Sequence, residues 1–256
     1  MVVPDSIVVP ADHSGGTHTS RTMMLAELDS LLASTPESAD AATLKAAVID
    51  HNVTGKNTLS GRTRTYRYLR ELYALDPSQL SYRALRDLWD IDPAARPLLA
   101  LLSALARDPA LRATAPAILE APEGTHISAD DLSAAVRAAY PHSYSQPIAA
   151  KIGRNAASTW TQSGHLAGRT NKARARIAPT PAAVAYALLL AHSEGHRGEM
   201  LFDTLWCRVL DAPKSTLIEL TQRASQRGLL ELKHGGGVTE VTFKMLMRPF
   251  GSDEVE

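Results

Sequence analysis

The 256-residue chain has one cysteine, Cys207, few aromatic side chains, no excess of either charge and no long apolar run. A single cysteine excludes a disulfide framework within the chain and a cysteine-based zinc finger. The longest apolar stretches are residues 98–106, interrupted by Ser103, and residues 182–191. Both fall well short of the roughly 20 residues that cross a bilayer, so no membrane partner is expected. The first residues lack a basic stretch followed by an apolar one, so no signal peptide is expected and the predicted location is the cytoplasm. Aromatic residues make up 5% of the chain while Ala and Leu dominate the apolar set. That composition favours helices over a β-sandwich, which draws on Val, Ile and aromatics.

What is present is ordinary in bulk: 45% hydrophobic and 21% charged residues, enough to build a core and too apolar for wholesale disorder. Residues 1–18, with Pro4, Pro10, Gly15 and Gly16, read as a flexible arm. From 19 to 124 the 3.6-residue spacing of apolar positions predicts an α-helical bundle. Its helices begin after Thr19 or Ser20, near 39, near 58, at Ser81, at Asp92-Pro93 and at Asp108-Pro109, and the Asp92-Pro93 helix, Leu-rich over 98–105, forms its centre.

Residues 125–178 predict a second pattern. Ser128 and Asp131 form a capping box that opens a helix to about Tyr140. A longer helix follows over 145–163, with Ile148, Ile152, Ala156 and Trp160 on one face, and then two short strands turn at Asn171. Residues 179–248 repeat the order: a helix over 181–192, shorter helices over 199–210 and 214–227, and a hairpin around Gly235-Gly-Gly237. Helix, helix, hairpin is the winged-helix order. Residues 249–256 read as an acidic tail. The predicted fold is mainly α, an N-terminal bundle followed by winged-helix-like modules with short β-hairpins.

The balanced total of 27 basic and 27 acidic residues conceals segregation. Leu132 to Ser193 contains no Asp or Glu, yet carries Arg137, Lys151, Arg154, Arg169, Lys172, Arg174 and Arg176. A second acid-free window, His51 to Arg70, carries Lys56, Arg62, Arg64, Arg67 and Arg70. Dense cations attract phosphates, and neutralising them releases counterions. Lys151, Arg154 and Asn155 fall on the expected recognition helix; Arg169, Lys172, Arg174 and Arg176 fall on the expected wing. In such folds the helix enters the major groove and the wing follows the backbone. Double-stranded DNA is therefore the expected partner, and the sequence does not distinguish it from RNA.

Catalytic signatures fail individually. His192 and His196 are four apart but are not an H-E-x-x-H pair and lack an evident third ligand. Asp50 stands where a phosphate-binding loop ending in Gly55-Lys56 needs glycine, and Asn57 replaces its Ser/Thr. There is no G-x-S-x-G, and Cys207 beside Trp206 reads as a small core residue. No enzyme, metal or cofactor is expected.

The segment Asn52-Val-Thr-Gly-Lys56, followed by Thr58-Leu-Ser-Gly-Arg-Thr-Arg-Thr-Tyr-Arg-Tyr-Leu69, resembles the N-terminal signature of BrxA-like proteins, small components of BREX anti-phage systems. The resemblance implies a helical N-terminal domain akin to the NusB fold, winged-helix character further on, and DNA binding without known catalysis. It also implies that Lys56, Arg62, Arg64 and Arg67 contact the nucleic-acid backbone. Val53 and Thr54 depart from the family's more usual apolar pair. Two further readings accompany this one: a structural adaptor whose basic face docks partner proteins of the defence complex, and a winged-helix transcription regulator.

Overall fold

Among the described residues, short polar side chains cap five of the twelve α-helices at their amino ends. The computed structural model describes residues 7–13, 15–235 and 238–250. Among these the chain is mainly helical, with two short antiparallel hairpins. The first half holds α1 (Leu25–Ala33), α2 (Ala41–Ile49), α3 (Leu59–Tyr73), α4 (Leu80–Ile91), α5 (Arg96–Arg107), α6 (Pro109–Arg112) and α7 (Ala115–Leu119). The second half holds α8 (Ala129–Ala139), α9 (Gln146–Gln162), β1 (Leu166–Ala167), β2 (Ala173–Arg174), α10 (Pro181–Ser193), α11 (Leu205–Arg208), α12 (Lys214–Gln226), β3 (Glu231–Gly235) and β4 (Val238–Thr242).

Asp40, Thr58 and Asp108 each accept an N–H from the first turn of the helix they precede, which satisfies a donor that the helix itself leaves open. Ser128 and Asp131 form the expected reciprocal box at α8. Other expected starts move. Thr19 and Ser20 do not cap α1; Met24 stands at its N-cap in the left-handed region, with φ 57° and no side-chain cap. Ser81 lies inside α4 and is buried. Asp92-Pro93 opens a 3-10 turn, and α5 begins only at Arg96.

Two helices are apolar on all sides and form the middle of the molecule, as that pattern requires. One is the expected α5, buried from Leu98 to Ala106; the other is α10, buried from Ala182 to Ala191. They pack on each other, and α10 also meets α4, α11 and α12. One large apolar core runs from Ile7 to Leu246 across both expected module boundaries, with Trp89, Trp160 and Trp206 enclosed within it, and a small second cluster joins Ala110, Val136 and Ile152.

The amino-terminal segment is not a free arm over its described part. Ile7 and Val8 are buried, the Val9 N–H donates to Ala106 O at 2.8 Å, and residues 17–19 form a 3-10 turn with His18 fully enclosed. Glycine lets this strap approach closely: a Cβ on Gly16, at φ 128°, would stand 2.3 Å from Asp108 Oδ1. Residues 1–6 and 14 of the expected arm, Gly236 and Gly237 of the triglycine turn and the acidic tail beyond 250 lie outside the described residues.

Candidate nucleic-acid interface

The α9 helix owes its position to one glycine. A Cβ on Gly153 would lie 2.2 Å from Ala129 O and 2.9 Å from Ser133 N, so α8 and α9 cross backbone to backbone at that point. This crossing buries Ile152, Ala156 and Trp160 and leaves Lys151 and Arg154 exposed. Three residues apart, the two cations share a face. Ile148, expected on the buried face, is 43% exposed at the first turn beside them.

The β1–β2 hairpin follows directly. It is shorter than expected, two residues per strand, and is extended by a bridge between His126 and Ala173. Its turn takes its positive φ at Gly168, 105°, rather than at Asn171. A Cβ at Gly168 would lie 2.2 Å from Asn171 O, so the close turn requires glycine there. Lys172 Nζ donates to Thr161 Oγ1 at 2.7 Å, tying the turn to α9 and leaving Arg169 exposed on it. Among the described residues no carboxylate pairs with Lys151, Arg154 or Arg169. These three and the half-buried Lys172 form the open cationic surface of this unit.

Arg174, expected on the wing, is 3% exposed. It donates to Ile118 O at 2.8 Å, to His165 O and to Ala175 O, and pairs with Asp211 at 2.8 Å. A guanidinium so enclosed reaches no phosphate; this corrects its expected role. Arg176 remains exposed but is shared between Asp211 and Glu123. Asn155 is half-buried, and its Nδ2 donates to His18 O at 2.8 Å, which anchors the strap instead of reading a base.

His165 completes the clasp at the base of this hairpin. Its Nε2 donates to Val209 O at 2.8 Å, and Ser163 Oγ sits 2.9 Å from Nδ1. Burial pushes its imidazole down to about 4, and neighbouring Arg174 acts in the same direction.

The second basic window is engaged differently. Lys56 pairs with Glu27 at 2.8 Å, and Arg62 donates to Ile49 O and Lys56 O. Arg67 lies 3.7 Å from Glu71 and over the Tyr68 ring. Arg64 is exposed and, among the described residues, donates only to Ser60 O, one turn back. Among the described residues no hydrogen bond or ion pair joins any α3 cation to one on α9 or its hairpin. The strap lies between them: Thr17 Oγ1 donates to Glu71 of α3, and His18 bonds Thr159 of α9.

Sequence reasoning missed the relay that joins His18, Asp108 and Thr159. A carboxylate only accepts, so His18 Nδ1 donates to Asp108 Oδ2 at 2.8 Å, while Nε2 faces Thr159 Oγ1 at 2.8 Å. Burial pushes the Asp108 carboxyl up, but adjacent His18 and the N–H groups of His18 and Leu111 outweigh it and hold the carboxyl below its ordinary range. Thr159 Oγ is fully enclosed, so this relay fixes the strap and meets no substrate. The only sequence signal was one Asp-Pro helix start. The Cys207 thiol is likewise buried and pushed up to about 12 by desolvation, far from the range of a reactive thiolate.

No protein-family model matches this chain, and no curated protein matches it.

Proposed function

We propose that this protein is a non-catalytic, duplex-DNA-binding component of a BREX-type phage-defence assembly, with α8, α9 and the β1–β2 hairpin acting as a winged-helix-like module. The observation that supports it is the surface made by Lys151, Arg154, Arg169 and Lys172, which no acidic side chain neutralises among the described residues. In this reading α9 enters the major groove by its exposed face, and the hairpin turn lies along the phosphates. The all-helical first half suits the NusB-like part of the BrxA resemblance, and exposed Arg64 supplies a further phosphate contact there.

The four phosphate contacts of the α9 surface predict a slope of about −3.6 in log affinity against log salt, or about 150-fold weaker binding between about 50 and 200 mM, and the Arg64 contact steepens the slope to about −4.5. Anisotropy with a random-sequence duplex measures this, and a flat salt response refutes phosphate-driven binding. A preference of about 10³-fold for one selected sequence would identify a transcription regulator instead. The defence role predicts lost phage restriction when the gene is deleted from its locus; unaltered restriction refutes that part alone.

A further inference from the structure

Arg107, at the carboxyl end of α5, stands between two open cavities of about 460 and 570 Å³ and lines both. Arg67 faces the first and Arg70 the second. Arg67 and Arg70 are three residues apart on α3, which places their Cβ atoms about 5–6 Å apart on one face. Arg107 is half-buried and lines both cavities, and its Nε donates to Glu71 O at 2.6 Å. Desolvation and the neighbouring Arg70 both disfavour its charge, with Tyr186 and Glu71 opposing them. Cations held close together on a rigid scaffold are relieved by an arriving anion.

Of the acids around the cavities, Glu71 pairs with Arg67 at 3.7 Å, while Asp108 and Asp76 are engaged away from the three arginines. Glu71 accepts from Thr17 Oγ1 at 2.9 Å and faces Arg67; Asp108 is turned to His18; Asp76 accepts the Ser78 N–H at 2.9 Å. Arg70 is exposed and has no ion pair among the described residues. The strap makes the far wall of the first cavity, with Gly15 to Ser20 facing α3. Each cavity has the size of a small-ligand site.

We propose that these cavities form a phosphate-ester site, separate from the α9 surface, in which Arg67, Arg70 and Arg107 grip the phosphates of a free nucleotide or the terminal phosphate of a nucleic-acid strand. Guanidinium groups suit this, because each offers parallel N–H donors to phosphate oxygens. The proposal does not rest on duplex binding by α9.

The test is calorimetric titration of the full chain with pyrophosphate at constant ionic strength. The expected result is saturable binding at submillimolar concentration, weakened at least 10-fold by Arg107→Gln and by Arg70→Gln, and unchanged in Lys151→Glu/Arg154→Glu. Arg70→Gln lies on an exposed helix face, so its fold is expected to survive, and circular dichroism checks it. Competition then identifies the source: displacement by ATP indicates a free nucleotide, and displacement by a 5′-phosphorylated but not a 5′-hydroxyl oligonucleotide indicates a strand end. Either supports the site. No pyrophosphate binding, equal affinity in Arg70→Gln, or displacement by neither ester overturns it. Loss of duplex binding in the α9 double variant with pyrophosphate binding intact shows that the two sites stand or fall separately.

Discussion

The unit built from α8, α9 and β1–β2 and the unit built from α10 to α12 and β3–β4 each run from helices into a hairpin, the second with the additional short helix α11, but their charges are placed differently. In the second, the hairpin cations find acids across the ladder: Lys233 pairs with Glu240 at 3.4 Å and Lys244 with Glu231 at 2.8 Å, all on the surface. In the first, the hairpin cations divide by depth. Arg174 is enclosed with an acid from the loop after α11, while Arg169 stays exposed with no pair among the described residues. Adjacent cations in sequence thus take opposite roles, and only the fold sorts them into structural and available groups.

The largest test of that division is Arg174→Met. It leaves the Asp211 carboxylate, 10% exposed, without its closest partner, and the expected loss is about 3 kcal/mol or more in urea unfolding. If Arg174 instead contacts DNA from the surface, stability stays unchanged and affinity falls. Second, Gly153→Ala forces apart the α8–α9 crossing and is expected to cost about 3 kcal/mol. An unaffected midpoint would show that the two helices yield without strain.

Third, acid should loosen the first unit. His165 takes up a proton near its ordinary value of 6.5 when unfolded but only near 4 when folded. Its contribution is complete above pH 6.5 and declines as pH falls towards 4, by about 3 kcal/mol at 1.4 per pKa unit. His165→Gln should flatten that segment of a stability–pH curve. Asp108 acts in the same sense at lower pH: its folded-state pKa is depressed, so its contribution is present above 3.8 and is lost as pH falls through the depressed value. Fourth, Lys151→Glu/Arg154→Glu should weaken duplex binding by ten-fold or more with the melting temperature held; retained affinity would move the contact surface elsewhere. The smallest effect belongs to the second hairpin, where Lys233→Ala should leave both the melting temperature and DNA affinity unaltered, as exposed pairs contribute little.

Much of the helical frame was legible because its signals are local. The capping box at Ser128 and Asp131 and the Asp108-Pro109 start each depend on residues within one helical turn, and the span of α9 depends on a continuous apolar period. The strap was not legible, because its anchors Asp108 and Thr159 lie far along the chain and only folding brings them to His18. Ile148 fits the apolar period but sits one turn before α8 covers α9. The acid-free windows were read correctly as composition; the error lay in treating each cation as exposed. Asp211 and Glu27, outside those windows, neutralise Arg174 and Lys56.

The bond between His18 and Thr159 joins positions 141 residues apart. At about 5–20 residues per second, a ribosome needs about 7–30 s to make the intervening chain. Throughout that interval the imidazole has no hydroxyl to meet, so the amino-terminal strap cannot lock before α9 is made. Whatever captures it during synthesis, chaperone or protease, competes directly with completion of the fold.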